Sequence, residues 1–146
     1  MTNDCATYTG DIALVYDSGD WDLLFINGQP CMTDGFDTAV YLSVFGEPDT
    51  WQNGLTNKPE EKYISEFPSV IDRANITDDT IKNGKAAIEK ALQWMIDTEA
   101  TESITVSGGA LSVYGLYWQI EIDRGGITSL YRINWDKGVT QIRKAV

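Results

Sequence analysis

The sequence predicts a one-domain α+β protein in which a small, mostly antiparallel β-sheet packs against two α-helices. Three observations carry that prediction. Apolar residues alternate with period two near both ends of the chain, a capped helical stripe occupies the middle, and the 146 residues are 42% hydrophobic and 23% charged, which is ordinary globular usage. A chain of this length buries about 68–70% of the surface its unfolded form exposes, so its core needs no metal or disulfide support. The core is expected over residues 11–136, with 137–146 as an extended C-terminal tail.

Between Asp11 and Ile26 the runs D-I-A-L-V-Y-D and D-W-D-L-L-F-I flank the turn signal Ser18-Gly19-Asp20, which predicts a β-hairpin. Ile12, Leu14 and Tyr16 share one face of the first run, and Trp21, Leu23 and Phe25 share one face of the second. Asn27-Gly28 closes the second run. Asp34 is placed to cap a helix carrying Phe36, Val40 and Val44 at four-residue spacing, with Ala39 beside them and Gly46 as its stop.

From Glu47 to Ile76 the chain reads as a long irregular connection with Pro48, Pro59, Pro68 and Gly54, and a helical turn around Glu60 to Glu66. Trp51, Tyr63 and Phe67 are its expected anchors, and a connection of this length is usually functional or ordered by a partner. The second helix is the clearest element. Thr77 caps it, Asp78 and Asp79 complement the helix dipole, and Ile81, Ile88, Ala91, Leu92 and Met95 form one stripe. A short strand follows at Ile104 to Val106, then a turn at Gly108-Gly109. The next strand alternates Tyr114, Leu116, Trp118, Ile120 and Ile122 with polar or small residues. Arg124-Gly125-Gly126 turns the chain into a last strand with Ile127, Tyr131, Ile133 and Trp135.

Charge and composition narrow the chemistry. The formal net charge is −11, and residues 1–57 hold nine acidic side chains with no Lys or Arg. That half repels polyanions. After residue 120 the balance reverses, with Arg124, Arg132, Lys137, Arg143 and Lys144 against Glu121, Asp123 and Asp136, an asymmetry suited to partners of different charge. Five scattered cations do not form the basic stripe that nucleic acid requires. No apolar run approaches the roughly 20 residues of a membrane-crossing helix. Met1 is followed by polar Thr2, Asn3 and Asp4, so no secretory leader is expected, and Cys5 and Cys31 are predicted to be reduced thiols.

The chain has no histidine. Ser-His-Asp and Cys-His nucleophile systems are therefore excluded, and so are the usual zinc ligand sets. No phosphate-binding glycine loop is present. Asp17, Asp20 and Asp22 cluster around Gly19, but an EF-hand loop needs ligands at positions 1, 3 and 5 and a Glu at position 12. Counted from Asp17, the third position is Gly19 and the twelfth is Gly28, so the cluster reads as the acidic rim of a hairpin turn. No catalytic residue, cofactor or metal is predicted. Glycoside cleavage needs only two carboxylates, but nothing among the 22 acidic residues singles out a pair.

The order of segments carries a resemblance. D-I-A-L-V-Y-D with G-D-W-D-L, then D-G-F-D-T-A-V-Y-L-S-V-F, then W-Q-N-G, then the helix K-A-A-I-E-K-A-L-Q-W-M-I-D resembles the Mu-type phage baseplate protein family, from about Asp11 to Trp135. That family is in turn similar to the sheath-initiator, or wedge, subunits of contractile tails, which resemble the handshake domain of sheath protein. The resemblance implies a non-enzymatic structural protein of the virion, made in the host cytoplasm and present in multiple copies in a symmetric tail baseplate. It implies contacts with other wedge subunits, tail sheath protein, and tube or hub proteins, with no nucleic acid and no membrane. Some relatives have been described as lysozyme-like, so a glycoside-cleaving tail component is one alternative; a generic acidic adaptor is another.

Specific positions follow from the same resemblance. Members of the wider group carry a Glu-Pro-Arg triplet after the long helix, where this chain has Glu99-Ala100-Thr101 and keeps only the acid. Of the paired tryptophans of Mu-type relatives, only Trp51 is matched, together with Gly54. The expected partner-binding residues are Trp51 and Glu99, with Gln141, Ile142, Arg143, Lys144, Ala145 and Val146 as a strand donated to, or captured by, a neighbouring subunit.

Overall fold

A computed structural model describes residues 11–17, 20–33, 36–47, 51–58, 62, 64–72, 75–136 and 139–144. The α+β class holds. Six short strands come first: β1 (Asp11–Ile12), β2 (Leu14–Asp17), β3 (Asp20–Leu23), β4 (Phe25–Ile26), β5 (Gln29–Pro30) and β6 (Met32–Thr33). Helices α1 (Phe36–Phe45), α2 (Phe67–Asp72) and α3 (Asp78–Asp97) follow, with a 3-10 turn at Trp51–Leu55. The chain ends in β7 (Ser103–Ser112), β8 (Gly115–Arg124), β9 (Ile127–Asp136) and β10 (Val139–Lys144).

Six strands form the main sheet, in the order β3-β2-β10-β9-β8-β7, and every neighbouring pair is antiparallel. Its inner face presents Leu116, Trp118, Ile120, Ile122, Tyr131, Ile133 and Ile142 to a helical layer of Val40, Val44, Phe67, Ile88, Leu92 and Met95. All of these except Ile142, at 8%, are fully buried. The outer face, one residue out of phase, carries Gln119, Glu121, Arg132, Asn134 and Gln141. Arg132 lies over the Tyr117 ring there, 4.5 Å from its centroid.

The long helix forms as its sequence requires. The Thr77 side chain accepts from the Thr80 N–H, Asp78 and Asp79 fill the first turn, and Ile88, Leu92 and Met95 are buried. An aromatic chain binds the layers, each ring within 5.1–5.9 Å of the next: Tyr131 to Tyr41, Tyr41 to Trp21, Trp21 to Phe45, Phe45 to Phe67, Phe67 to Trp118. Phe67 is the expected anchor of the long connection. The described residues hold three α-helices rather than two, because Ser65 Oγ accepts from the Phe67 N–H at 3.1 Å and α2 starts there, with Pro68 in its first turn. Asp34 and Tyr63 lie outside the described residues.

The N-terminal hairpin is broken where two unbroken strands were expected. Leu14 and Val15 pair with Leu23 and Asp22, but Ile12 pairs with Met32 and Phe25 pairs with Pro30. At the crossing, Ala13 N–H donates to Cys31 O at 2.8 Å, Leu24 N–H to Ala13 O at 3.0 Å, and Cys31 N–H to Leu24 O at 2.7 Å. Both strands are diverted onto the returning segment, which leaves Ile12 37% and Phe25 53% exposed. Cys31 is disulfide-bonded, which corrects the expectation of a reduced thiol. Cys5 lies outside the described residues.

Two further expectations are corrected. Gly108 and Gly109 do not make a turn: β7 runs through them to Ser112, and the chain reverses at Val113-Tyr114, leaving Tyr114 62% exposed. The glycines are there for close approach, since a Cβ on Gly108 would stand 2.9 Å from Trp118 Cδ1 and one on Gly109 2.9 Å from the Tyr117 ring. The tail expected at residues 137–146 is a strand over its described residues, 139–144. Val139 to Lys144 pair with Asp136 to Tyr131 of β9, and Gln141 pairs with Asp17 of β2, so β10 is an interior strand. Thr140, Ile142 and Lys144 share its inward face, and one apolar residue among the three is too few to mark a strand in the sequence.

Candidate partner-binding surface

Among the described residues the strand order of the main sheet leaves two open edges, and they differ in kind. β3 is four residues long and carries Asp20 and Asp22; the Asp22 carboxylate also accepts from the Leu23 N–H at 2.7 Å. Short length and charge are the usual protection of a sheet edge. β7 has neither. Its ten residues, S-I-T-V-S-G-G-A-L-S, include no charge and no proline, and among the described residues no strand pairs with its outer side. A register shift between Ala110 and Ser112 is its single irregularity.

Helix α3 overhangs this edge. Lys85, Glu89, Gln93 and Ile96 follow at helical spacing, one residue on from the buried stripe Gly84, Ile88, Leu92 and Met95. Together with Ile104, Thr105 and Val106 of β7 they line a cleft of about 240 Å³. Lys85 Nζ lies 3.8 Å from Glu89 Oε1, so its charged rim is internally paired. Glu89 is the cleft's one carboxylate.

The residues expected to meet a partner are scattered. Trp51 opens the 3-10 turn. Glu99 follows α3 in the left-handed region, at φ 59°, with its N–H donating to Ile96 O at 3.0 Å. Gln141, Ile142, Arg143 and Lys144 are register partners of Asn134, Ile133, Arg132 and Tyr131 in the sheet, which corrects the picture of a free segment. Ala145 and Val146 lie outside the described residues. The β7 edge was missed because Gly108-Gly109 resembles a turn; the signal that could have revealed it is the uncharged run from Ser103 to Ser112.

One polar cluster sits where α1 meets the sheet. Tyr131 OH donates to Asp37 Oδ1, and Lys144 Nζ lies 3.1 Å from the same oxygen, tying the last strand to the first turn of α1. Burial, and then the Asp37 carboxylate, push Tyr41 up to about 12; burial and the hydrogen bond to Asp37 push Tyr131 up as well. An unfolded chain ionises both phenols near pH 10, so the stabilisation from keeping them protonated is fully present below about pH 10 and is lost as pH rises through the folded values. Urea midpoints are expected to fall between about pH 10 and 12. Replacing both by Phe should flatten that limb, as a pH series of unfolding curves will show.

Among the described residues, no group of three or more His, Cys, Asp or Glu side chains is placed to hold a metal ion. No helix of the described chain is long and apolar enough to cross a membrane. No protein-family description, curated protein or solved structure matches the chain.

Proposed function

We propose that this chain is a structural subunit of a contractile phage-tail baseplate, a wedge component that helps to initiate or anchor the tail sheath. The observation that carries the reading is the long uncharged β7 edge, opposite a β3 edge that is short and acidic. Proteins ordinarily blunt such edges, and one left open for ten residues is suited to a strand from a neighbour, joined by main-chain hydrogen bonds. The order of baseplate-like motifs along the sequence supplies the biological context. Its partners in this role are other wedge subunits, sheath protein, and tube or hub proteins, each copy meeting the same neighbours around a symmetric ring. The resemblance suggested the C-terminal segment as the exchanged strand; with β10 inside the sheet, the contact is assigned to β7.

Mass spectrometry of purified tails from the producing strain should find the chain in contractile particles and in isolated baseplates. Hydrogen exchange should show β7 amides that exchange quickly in the isolated chain and slowly in the particle. Tails that lack the chain, or β7 amides that exchange equally in both states, contradict the proposal.

A further inference from the structure

We propose that the cleft between α3 and β7 selects the incoming strand by seating an apolar side chain, so that this edge accepts an extended segment of a different protein subunit and discriminates among such segments. The inference rests on the strand-addition reading and deepens it. An added strand places alternate residues on opposite faces of the sheet, with residues opposite one another aligned across the pair. Its residues opposite Ile104 and Val106 therefore enter beneath α3, and the residue opposite Thr105 faces outward.

Beneath α3 those side chains meet the stems of Lys85 and Gln93, Ile96, and the partly buried Ile104. The cleft's 240 Å³ falls below the about 300–1,000 Å³ of small-molecule sites and well above a single water, which gives room for one large side chain; Ile96, Ile104 and Val106 form its apolar side, beside polar Lys85, Glu89, Gln93 and Thr105. A charge seated there faces the cost of desolvation, with Lys85 and Glu89 already paired to each other. The occupant is a foreign segment rather than a second β7. Two copies side by side each carry a net charge of −11 and repel, whereas a basic segment, such as one flanked by lysines, is attracted.

The test uses the full chain and two blocked synthetic peptides, Lys-Thr-Leu-Thr-Val-Thr-Lys and its counterpart with Leu and Val replaced by Ser. The Leu/Val peptide is expected to protect alternate β7 amides from exchange and to shift the methyl resonances of Ile96 and Ile104. The Ser peptide should bind at least tenfold more weakly. Ile96→Lys, at a position already 36% exposed and so tolerant of charge, should weaken the Leu/Val peptide by a similar factor, and Ser107→Lys, exposed on the outer face and outside the cleft lining, should not. Equal binding of both peptides, or no effect of Ile96→Lys, overturns the selection while leaving strand addition standing. Binding of neither peptide overturns both. Dimers of the free chain with protected β7 amides identify a second copy as the occupant and overturn the choice of partner.

Discussion

Truncation after Thr140 is expected to unfold the chain. Among the described residues, β10 is the only strand between the N-terminal hairpin and β9, pairing with β9 from Val139 to Lys144 and with β2 at Gln141. Removing residues 141–146 strips Ile142 from against Ile133, leaves β9 an open edge, and detaches β2 and β3 from the sheet. Loss of a buried Ile side chain alone costs about 2–5 kcal/mol. The total stability of a domain is about 5–15 kcal/mol, so adding the lost strand pairing brings the damage to the scale of the whole fold. Circular dichroism melts should lose their cooperative transition, with dye binding reporting exposed apolar surface. Ile142→Ala should fold and melt lower, by the cost of that side chain. A truncated chain that melts like the full-length protein would falsify the interior placement of β10.

Whether a sequence signal survived into the structure depended on how local its cause was. Helix α3 was legible because cap, dipole acids and apolar stripe all lie within residues 77–97. Strand β8 was legible because Leu116, Trp118, Ile120 and Ile122 alternate without a break and all reach the core. β10 was illegible because a strand covered on one face by helices needs few apolar residues when its neighbours supply the rest, and Thr140 and Ile142 were enough. Gly108-Gly109 was misread for a related reason. What requires glycine there is the approach of Trp118 and Tyr117, side chains about ten residues away on the next strand.

The candidate site was harder still, because being an edge is a property of strand order rather than of any strand. β7 becomes outermost only once β10 returns between β2 and β9 and the meander extends away from it. Nothing between Ser103 and Ser112 encodes that. The lack of charge in this run gains meaning only beside the placement, since an uncharged interior strand is ordinary and an uncharged edge is not. The residues expected from the family resemblance were drawn from chain ends and helix termini, and the fold assigns most of them backbone partners of their own.

The largest single-residue effect is expected at the joint between α3 and the sheet. Trp118 is fully buried, its indole N–H donates to Ile81 O at 3.0 Å, and its ring meets Phe67 edge-on at 5.1 Å. Trp118→Ala should cost about 3–5 kcal/mol, for the lost ring and the cavity left behind. The facing residue makes a sharper test, because helix propensity and packing predict opposite signs there. Ala in a helix interior is favoured over Gly by about 0.8–1.0 kcal/mol, so a solvent-exposed Gly→Ala change in α3 would stabilise. At Gly84 a Cβ would stand 2.5 Å from Trp118 Cε2 and Cζ2, and the ring is pinned by its hydrogen bond and by Phe67. Overpacking of this kind costs about 1–3 kcal/mol, which outweighs the propensity gain, and Gly84→Ala is expected to lower the urea midpoint. In a Trp118→Phe background the smaller ring leaves room, and the same substitution should become neutral or stabilising. That change of sign across a double-mutant cycle isolates the Gly84–Trp118 contact from helix propensity, and additive effects of the two substitutions would show that the joint is not packed this way.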